Sequence, residues 1–204
     1  LGLSHEQAQW IAAFITKHGA LFEQWGVEAK TIRLLKNLHA QTWFSYGDVD
    51  EAVSCRIGGR QGCIYGSTIF SSSFCVGLLL VHDALVECGV ALKLCRDEQP
   101  FWTAAESRDS TSDTDLLDAA FVDDTVMIVL ASNCAKLDAA IDVTLATIRD
   151  VYHKLSLQIN WKVGKTEALL QYRGPGAPEH MQARKTEFGG AATIRVPGTD
   201  HYIA

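Results

Sequence analysis

Two apolar runs, Leu116 to Val122 and Val126 to Leu130, are separated only by Asp123-Asp124-Thr125. The second run is rich in the β-branched residues that strands favour, so the pair predicts a β-hairpin with acid at its tip. A long helix should follow. Leu137, Ile141, Leu145, Ile148, Tyr152 and Leu155 recur at three- and four-residue steps behind the cap candidates Ser132 and Asn133, which predicts a helix over about 134–154. A chain that must bury two strands and then one face of such a helix belongs to a class mixing helices with antiparallel strands.

The rest of the chain repeats that alternation. Ser4 and Gln7 form a capping-box pattern ahead of Ala8, Ile11, Ala12 and Ile15, with Gly19 as a stop, so a first helix covers about 4–18. A second, Glu28 to His39, sets Ile32, Leu35 and Leu38 against Lys30, Arg33 and Lys36, a basic face expected to meet solvent. Thr42 to Ile57 reads as a hairpin turning at Tyr46-Gly47-Asp48, Ser67 to Gly89 as a long apolar helix, and Val90 to Leu94 as a short strand. Glu106 to Asp115 is Ser/Thr/Asp-rich without apolar periodicity and is expected to be a mobile surface loop inside one core. Weaker strands are expected at Leu155 to Ile159, Thr166 to Tyr172 and Ala192 to Val196, the last within a tail rich in Gly and Pro.

Composition sets outer bounds. With 48% hydrophobic and 21% charged residues, 204 residues can bury a sizeable core, which excludes disorder as the main state. The apolar run from Phe74 to Val81 is far shorter than the ~18 residues of a bilayer span, so no membrane helix is expected. No secretory signal is visible. Six cysteines without a C-x-x-C pair read as reduced, buried thiols. A net charge of −6 argues mildly against a free-standing nucleic-acid binder. The chain opens on Leu1 and closes on His201-Tyr202-Ile203-Ala204 without a polar tail, and reads as a fragment.

Three segments could carry chemistry. Adjacent acids at the turn of an otherwise apolar hairpin are costly unless a cation holds them, and a hard divalent cation needs only one or two protein carboxylates. Two such ions could clamp the attacking and leaving oxygens of a phosphoryl transfer. A solvated turn also uses Asp. A phosphoacceptor receiver domain places paired acids after a strand too, but there a loop and helix should follow, whereas Thr125 to Leu130 continues as strand. The second segment is Gly58-Gly59-Arg60-Gln61-Gly62-Cys63, where glycines admit a close ligand, Gln61 can bond a base edge or sugar and Arg60 can pair with phosphate. The third is Gly164-Lys165-Thr166. It fails as a nucleotide-binding P-loop, because Ile159 stands where a glycine is required.

Taken in order, Arg60-Gln61-Gly62-Cys63, Phe121-Val122-Asp123-Asp124-Thr125 and Asn160 through Lys165-Thr166-Glu167 resemble the reverse transcriptase domain of non-LTR (LINE-type) retrotransposons. The resemblance covers Leu21 to the C-terminus and is strongest from Ile57 to Leu170. It implies an α+β fold of polymerase palm type, an antiparallel sheet with helices packed on one face, incomplete at both ends. In that frame 1–57 join fingers to palm, 58–172 are the palm core and 173–204 begin the connection to a thumb. The resemblance implies that Asp123 and Asp124 hold catalytic Mg²⁺ (or Mn²⁺), with Asp123 the more direct ligand. It places Arg60, Gln61 and Gly62 beside template and incoming nucleotide, and makes Lys165 the proton donor to the leaving pyrophosphate. The implied partners are an RNA template, a DNA primer and deoxynucleoside triphosphates, without a membrane, in an intracellular and nuclear setting. The chain departs from the family at Ile64-Tyr65-Gly66-Ser67, where Pro-Leu-Ser-Pro is usual, and in the longer spacing from Asn160 to Lys165. The family's third metal-binding aspartate lies upstream of the first helix, so the fragment alone is expected to be inactive. The alternative is a non-catalytic or degenerate remnant that serves, if at all, as a binding or structural module.

Overall fold

The computed structural model describes residues 3–40, 43–45, 52–54, 65–94, 114–116, 118–121, 124–187 and 193–203. Within them the chain runs α1 (His5–His18), α2 (Leu21–Gln24), α3 (Ala29–His39), β1 (Trp43–Ser45), β2 (Ala52–Ser54), α4 (Gly66–Glu87), β3 (Leu92–Leu94), β4 (Thr114–Leu116), β5 (Asp118–Phe121), β6 (Asp124–Met127), α5 (Cys134–Lys154), α6 (Ala177–Glu187), β7 (Ile194–Arg195) and β8 (Tyr202–Ile203). Helices and antiparallel strands are mixed as expected. Among the described residues the strands pair as four two-stranded antiparallel ladders, β1-β2, β3-β4, β5-β6 and β7-β8, where one sheet is expected.

The chain divides into two compact units. One comprises residues 1–76 with 154–156, the other 77–153 with 157–204. In the first unit, α1 begins where the sequence predicts. The Ser4 hydroxyl accepts from the Gln7 N–H at 3.1 Å while the Gln7 side chain accepts from the Ser4 N–H at 2.8 Å, a complete capping box. Trp10, Phe14 and His18 stack down one side at i, i+4 spacing, and the Lys154 ammonium lies over the Trp10 ring at 6.0 Å. The Gln24 amide donates to the carbonyls of His18 and Gly19, satisfying acceptors that the end of α1 leaves open. None of α1, α2 or α3 contains a fully buried residue.

The second unit holds the best-defined core. Ile141 and Leu145, one turn apart on α5, pack with Ile194, Val196 and Ile203, and Val129, Leu137, Trp161, Ala168 and Leu170 close around them. The β7–β8 connection is a type II turn, with Pro197 and Gly198 central and the Thr199 N–H returning to the Val196 carbonyl at 3.2 Å. Gly198 has φ +70, and a Cβ there would collide with the Arg149 guanidinium, which donates to the Pro197 carbonyl.

Several expectations are corrected. Leu155 to Ile159 is not a strand: α5 ends in a Schellman motif, with Ser156 at φ 58 and the Leu157 N–H donating to the Tyr152 carbonyl at 2.8 Å. Thr166 to Tyr172 alternates outward and inward as a strand would, but pairs with no ladder among the described residues. The Gly/Pro-rich tail contains α6, which the sequence reading lacked. Thr114 and Asp115, assigned to the acidic loop, lie in β4 opposite Leu94 and Lys93; the remainder of that loop falls outside the described residues. The three described cysteines are free thiols, yet only Cys134 is buried, while Cys75 and Cys88 are exposed. Among the described residues, helix α4, at 22 residues, is long and apolar enough to cross a membrane by length and composition alone. Its burial runs in a stripe through Phe74, Gly77, Val81 and Leu85, with Cys75, Leu79, Asp83 and Glu87 outward, as in a helix packed on protein.

Two backbone positions yield opposite outcomes. Gly198→Ala should lower stability by about 2 kcal/mol, since it adds left-handed strain to a clash, and Arg149→Met in the same chain should recover part of that loss in urea titrations. Ser156→Gly should stabilise by about 0.5–1 kcal/mol, because a left-handed cap suits glycine. Simple additivity of the first pair, or a destabilised Ser156→Gly, would contradict these assignments.

Candidate functional site

The acidic hairpin forms from residues that alternate. Asp118, Ala119, Ala120 and Phe121 pair with Met127, Val126, Thr125 and Asp124 in that order, and Val122 and Asp123 between the strands lie outside the described residues. Asp124 and Thr125, expected between the two strands, belong to β6. Along β6, Asp124 and Val126 face outward and Thr125 and Met127 inward. The Thr125 hydroxyl is buried without a hydrogen-bond partner. Asp124 is exposed and accepts no hydrogen bond or ion pair among the described residues. Its carboxylate is thus a free oxygen donor next to a second aspartate, the donor chemistry a hard divalent cation takes. Among the described residues no third carboxylate, His or Cys converges on it. Asp123 itself lies outside the described residues, as do Arg60, Gln61 and Gly62.

Lys165 sits in a loop that its neighbours close. The Asn160 side chain accepts from the Lys162 N–H at 3.3 Å, the Asn160 carbonyl accepts from the Thr166 hydroxyl at 2.9 Å, and the Lys165 N–H donates to the Lys162 carbonyl at 3.0 Å. Gly164 supplies the positive φ of 78 that the turn needs. Trp161, Ala168 and Leu170 anchor both flanks to the α5 core, and the lysine stands exposed at the tip. Val129, just beyond β6, packs on the same core. The hairpin and the lysine loop are therefore carried by segments sharing one core, and Asp124 and Lys165 make no bond to each other.

The most connected polar group in the second unit is one the sequence reading did not single out. Asp138 of α5 accepts from the Tyr172 hydroxyl, from the Arg184 guanidinium at 2.8 Å and from the His180 ring at 2.9 Å. His180 and Arg184 stand one turn apart on α6, so a single carboxylate fastens that helix to α5. Partial burial pushes the Asp138 carboxyl up, but the bonds from Tyr172, Arg184 and His180 outweigh it and hold the group below the usual carboxylate range. Burial, and then Asp138, push the Tyr172 phenol upward. The i, i+4 pairing of His180 with Arg184 was the available signal, hidden because α6 itself was not foreseen.

No protein-family model, no curated protein and no solved structure matches this chain.

The Asp138 cluster carries a pH signature. A carboxyl held low in the fold adds stability that is present above its unfolded value near 4 and is lost as pH falls through its folded value. Stability should therefore decline more steeply below about pH 4 in the native chain than in Asp138→Asn. At pH 7 that variant should lose about 1–3 kcal/mol, the lower end reflecting partial exposure. Urea titrations across pH 2.5–7 in both chains check this, and parallel acid limbs would remove the assigned role.

Proposed function

We propose that this chain is the palm portion of an RNA-directed DNA polymerase of the non-LTR retrotransposon type, acting inside the cell on chromosomal DNA. One observation carries the reading: an antiparallel hairpin presents an exposed carboxylate, Asp124, that has no side-chain partner among the described residues and follows Asp123 in sequence. The order of the Arg60-Gln61-Gly62, Phe121-Val122-Asp123-Asp124 and Lys165-Thr166 segments supports it.

In this reading Asp123 and Asp124 hold Mg²⁺, or Mn²⁺ in its place. When bound, the ion supplies charge neutralisation at the primer hydroxyl and at the leaving group. The primer 3′-hydroxyl attacks the α-phosphorus of a deoxynucleoside triphosphate, the new phosphodiester forms, and the bond to pyrophosphate breaks. Lys165, exposed at the tip of a loop clamped by Asn160 and Thr166, gives its proton to the departing pyrophosphate. Arg60 and Gln61 contact incoming nucleotide and template, and Gly62 lets the backbone come close.

A second reading, a non-catalytic remnant serving as a binding or structural module, draws on the absence of a third metal-ligating group among the described residues. Deoxynucleotide incorporation on a primed RNA template, with Mg²⁺ or Mn²⁺, separates the two when this chain is compared with one extended upstream. Incorporation by the extended chain is the expected result, and none in either chain selects the remnant. In the active chain, Asp123→Asn should cut incorporation by about a thousandfold with folding nearly unchanged. Lys165→Gln should cut it by about a hundredfold. Undiminished incorporation in Asp123→Asn would sink the metal assignment.

A further inference from the structure

Helix α3 carries Lys30, Arg33 and Lys36 and no acidic residue, in a chain where acids outnumber bases 24 to 18. At about 100° per residue the three cations and Asn37 fall within an arc of about 120°, and Ile32, Leu34, Leu35 and Leu38 occupy the other side. The side chains of Lys30, Arg33 and Lys36 make no hydrogen bond or ion pair among the described residues. The residue before the helix, Glu28, is its N-cap, away from the middle of the cationic arc.

Burial says which way the helix faces. Its half-buried residues are Ile32, Leu35 and His39, one stripe at i, i+3, i+7, and every other residue from Ala29 to Leu38 is exposed. The inward direction is therefore the centre of the apolar side, and the outward direction centres on Lys30 and Asn37. Leu34 and Arg33 stand about equally to either side of that direction, with Leu38, like Leu34 about half exposed, and then Lys36 further round. A helix that lies on lipid turns its apolar face outward. Here Lys30 and Asn37 lead and the helix carries three exposed cations and no acid, so the complementary partner is a polyanion that offers charge without a hydrocarbon layer.

We propose that the Lys30–Arg33–Lys36 face of α3 binds the sugar-phosphate backbone of a nucleic acid. Successive cations three residues apart are spaced about 4.5 Å along the axis, so the row covers about 9 Å, a reach matching two or three phosphates. No base edge is read by such a row, so contact is independent of sequence. Binding does not require that the chain polymerise, although the polymerase reading supplies a reason for it.

The test is fluorescence anisotropy of a labelled RNA–DNA hybrid duplex with the 204-residue chain, titrated across salt. Lys30→Gln/Arg33→Gln/Lys36→Gln keeps good helix formers at each position, and circular dichroism checks that the helix remains. A control, Lys136→Gln/Arg173→Gln/Lys185→Gln, removes equal charge from the other unit. The α3 variant should bind at least about tenfold more weakly at low salt, with a slope of log affinity against log salt shallower by about two, while the control matches the parent. Equal binding and slope in the α3 variant, an equal loss in the control, or no binding by the parent would overturn the proposal. Binding of the parent to phosphatidylserine vesicles but not to the hybrid would overturn it as well. Binding is read in EDTA, where no divalent ion contributes, so loss of affinity in the α3 variant bears on this face and lost incorporation in Asp123→Asn bears on the polymerase reading alone.

Discussion

Ile141 and Leu145 form the apolar surface of α5 on which Val129, Trp161, Ala168, Leu170 and the terminal strands converge. These residues come from segments spread over some seventy positions of sequence, and each is too short to be stable by itself. A two-stranded ladder is marginal in water without an apolar surface to rest on. The strand leaving the acidic hairpin, both flanks of the lysine loop and the β7–β8 hairpin are thus held by one shared cluster. Loosening α5 would release all three together, which is why the Schellman cap at Ser156 and the turn at Gly198 matter beyond their own surroundings.

The carboxylates of the second unit divide by what surrounds them. Asp138 is half-buried and answers three donors, so its charge is committed to holding α6 on α5. Asp124 answers none among the described residues and faces outward, so its charge remains free for a ligand. A half-buried carboxylate that already accepts three hydrogen bonds is a poor metal ligand, because binding would first strip some of them. The same reasoning separates Arg184, locked to Asp138, from the side chains of Lys30, Arg33 and Lys36, which have no partner among the described residues.

How much of this was legible follows from whether each element is held by a local or a distant force. Helix α1 announced itself through Ser4 and Gln7, α3 through its two-sided pattern and α5 through a long apolar repeat, all local signals. The β5–β6 hairpin was legible because both strands and their turn lie within ten residues. Helix α6 was not, since Gly174-Pro175-Gly176 reads as a breaker and the helix is held by His180 and Arg184 on Asp138, a polar contact with no apolar period. Residues 166–172 showed their alternation but not their lack of a partner, because pairing depends on segments far away in sequence. At Ser156 a serine occupies the left-handed position that usually goes to glycine, so the cap was hidden. In the candidate site, Asn160 and Thr166 could be named as neighbours of Lys165, but that they close its loop required the fold.

An acidic chain and a polyanionic partner are not in conflict when charge is segregated. Screening at physiological salt limits the reach of a surface charge to about 8 Å. Within that distance a phosphate meeting α3 would sense Lys30, Arg33 and Lys36 first, since the helix itself carries no acid. The net charge of −6 therefore sets solubility and long-range repulsion, while the order of charges along eleven residues of one helix sets local affinity. An acidic tip that can hold a cation would act in the same direction. A divalent ion there would turn a repulsive pair of carboxylates into a site that attracts phosphate, so a protein whose sum is negative can present positive charge locally.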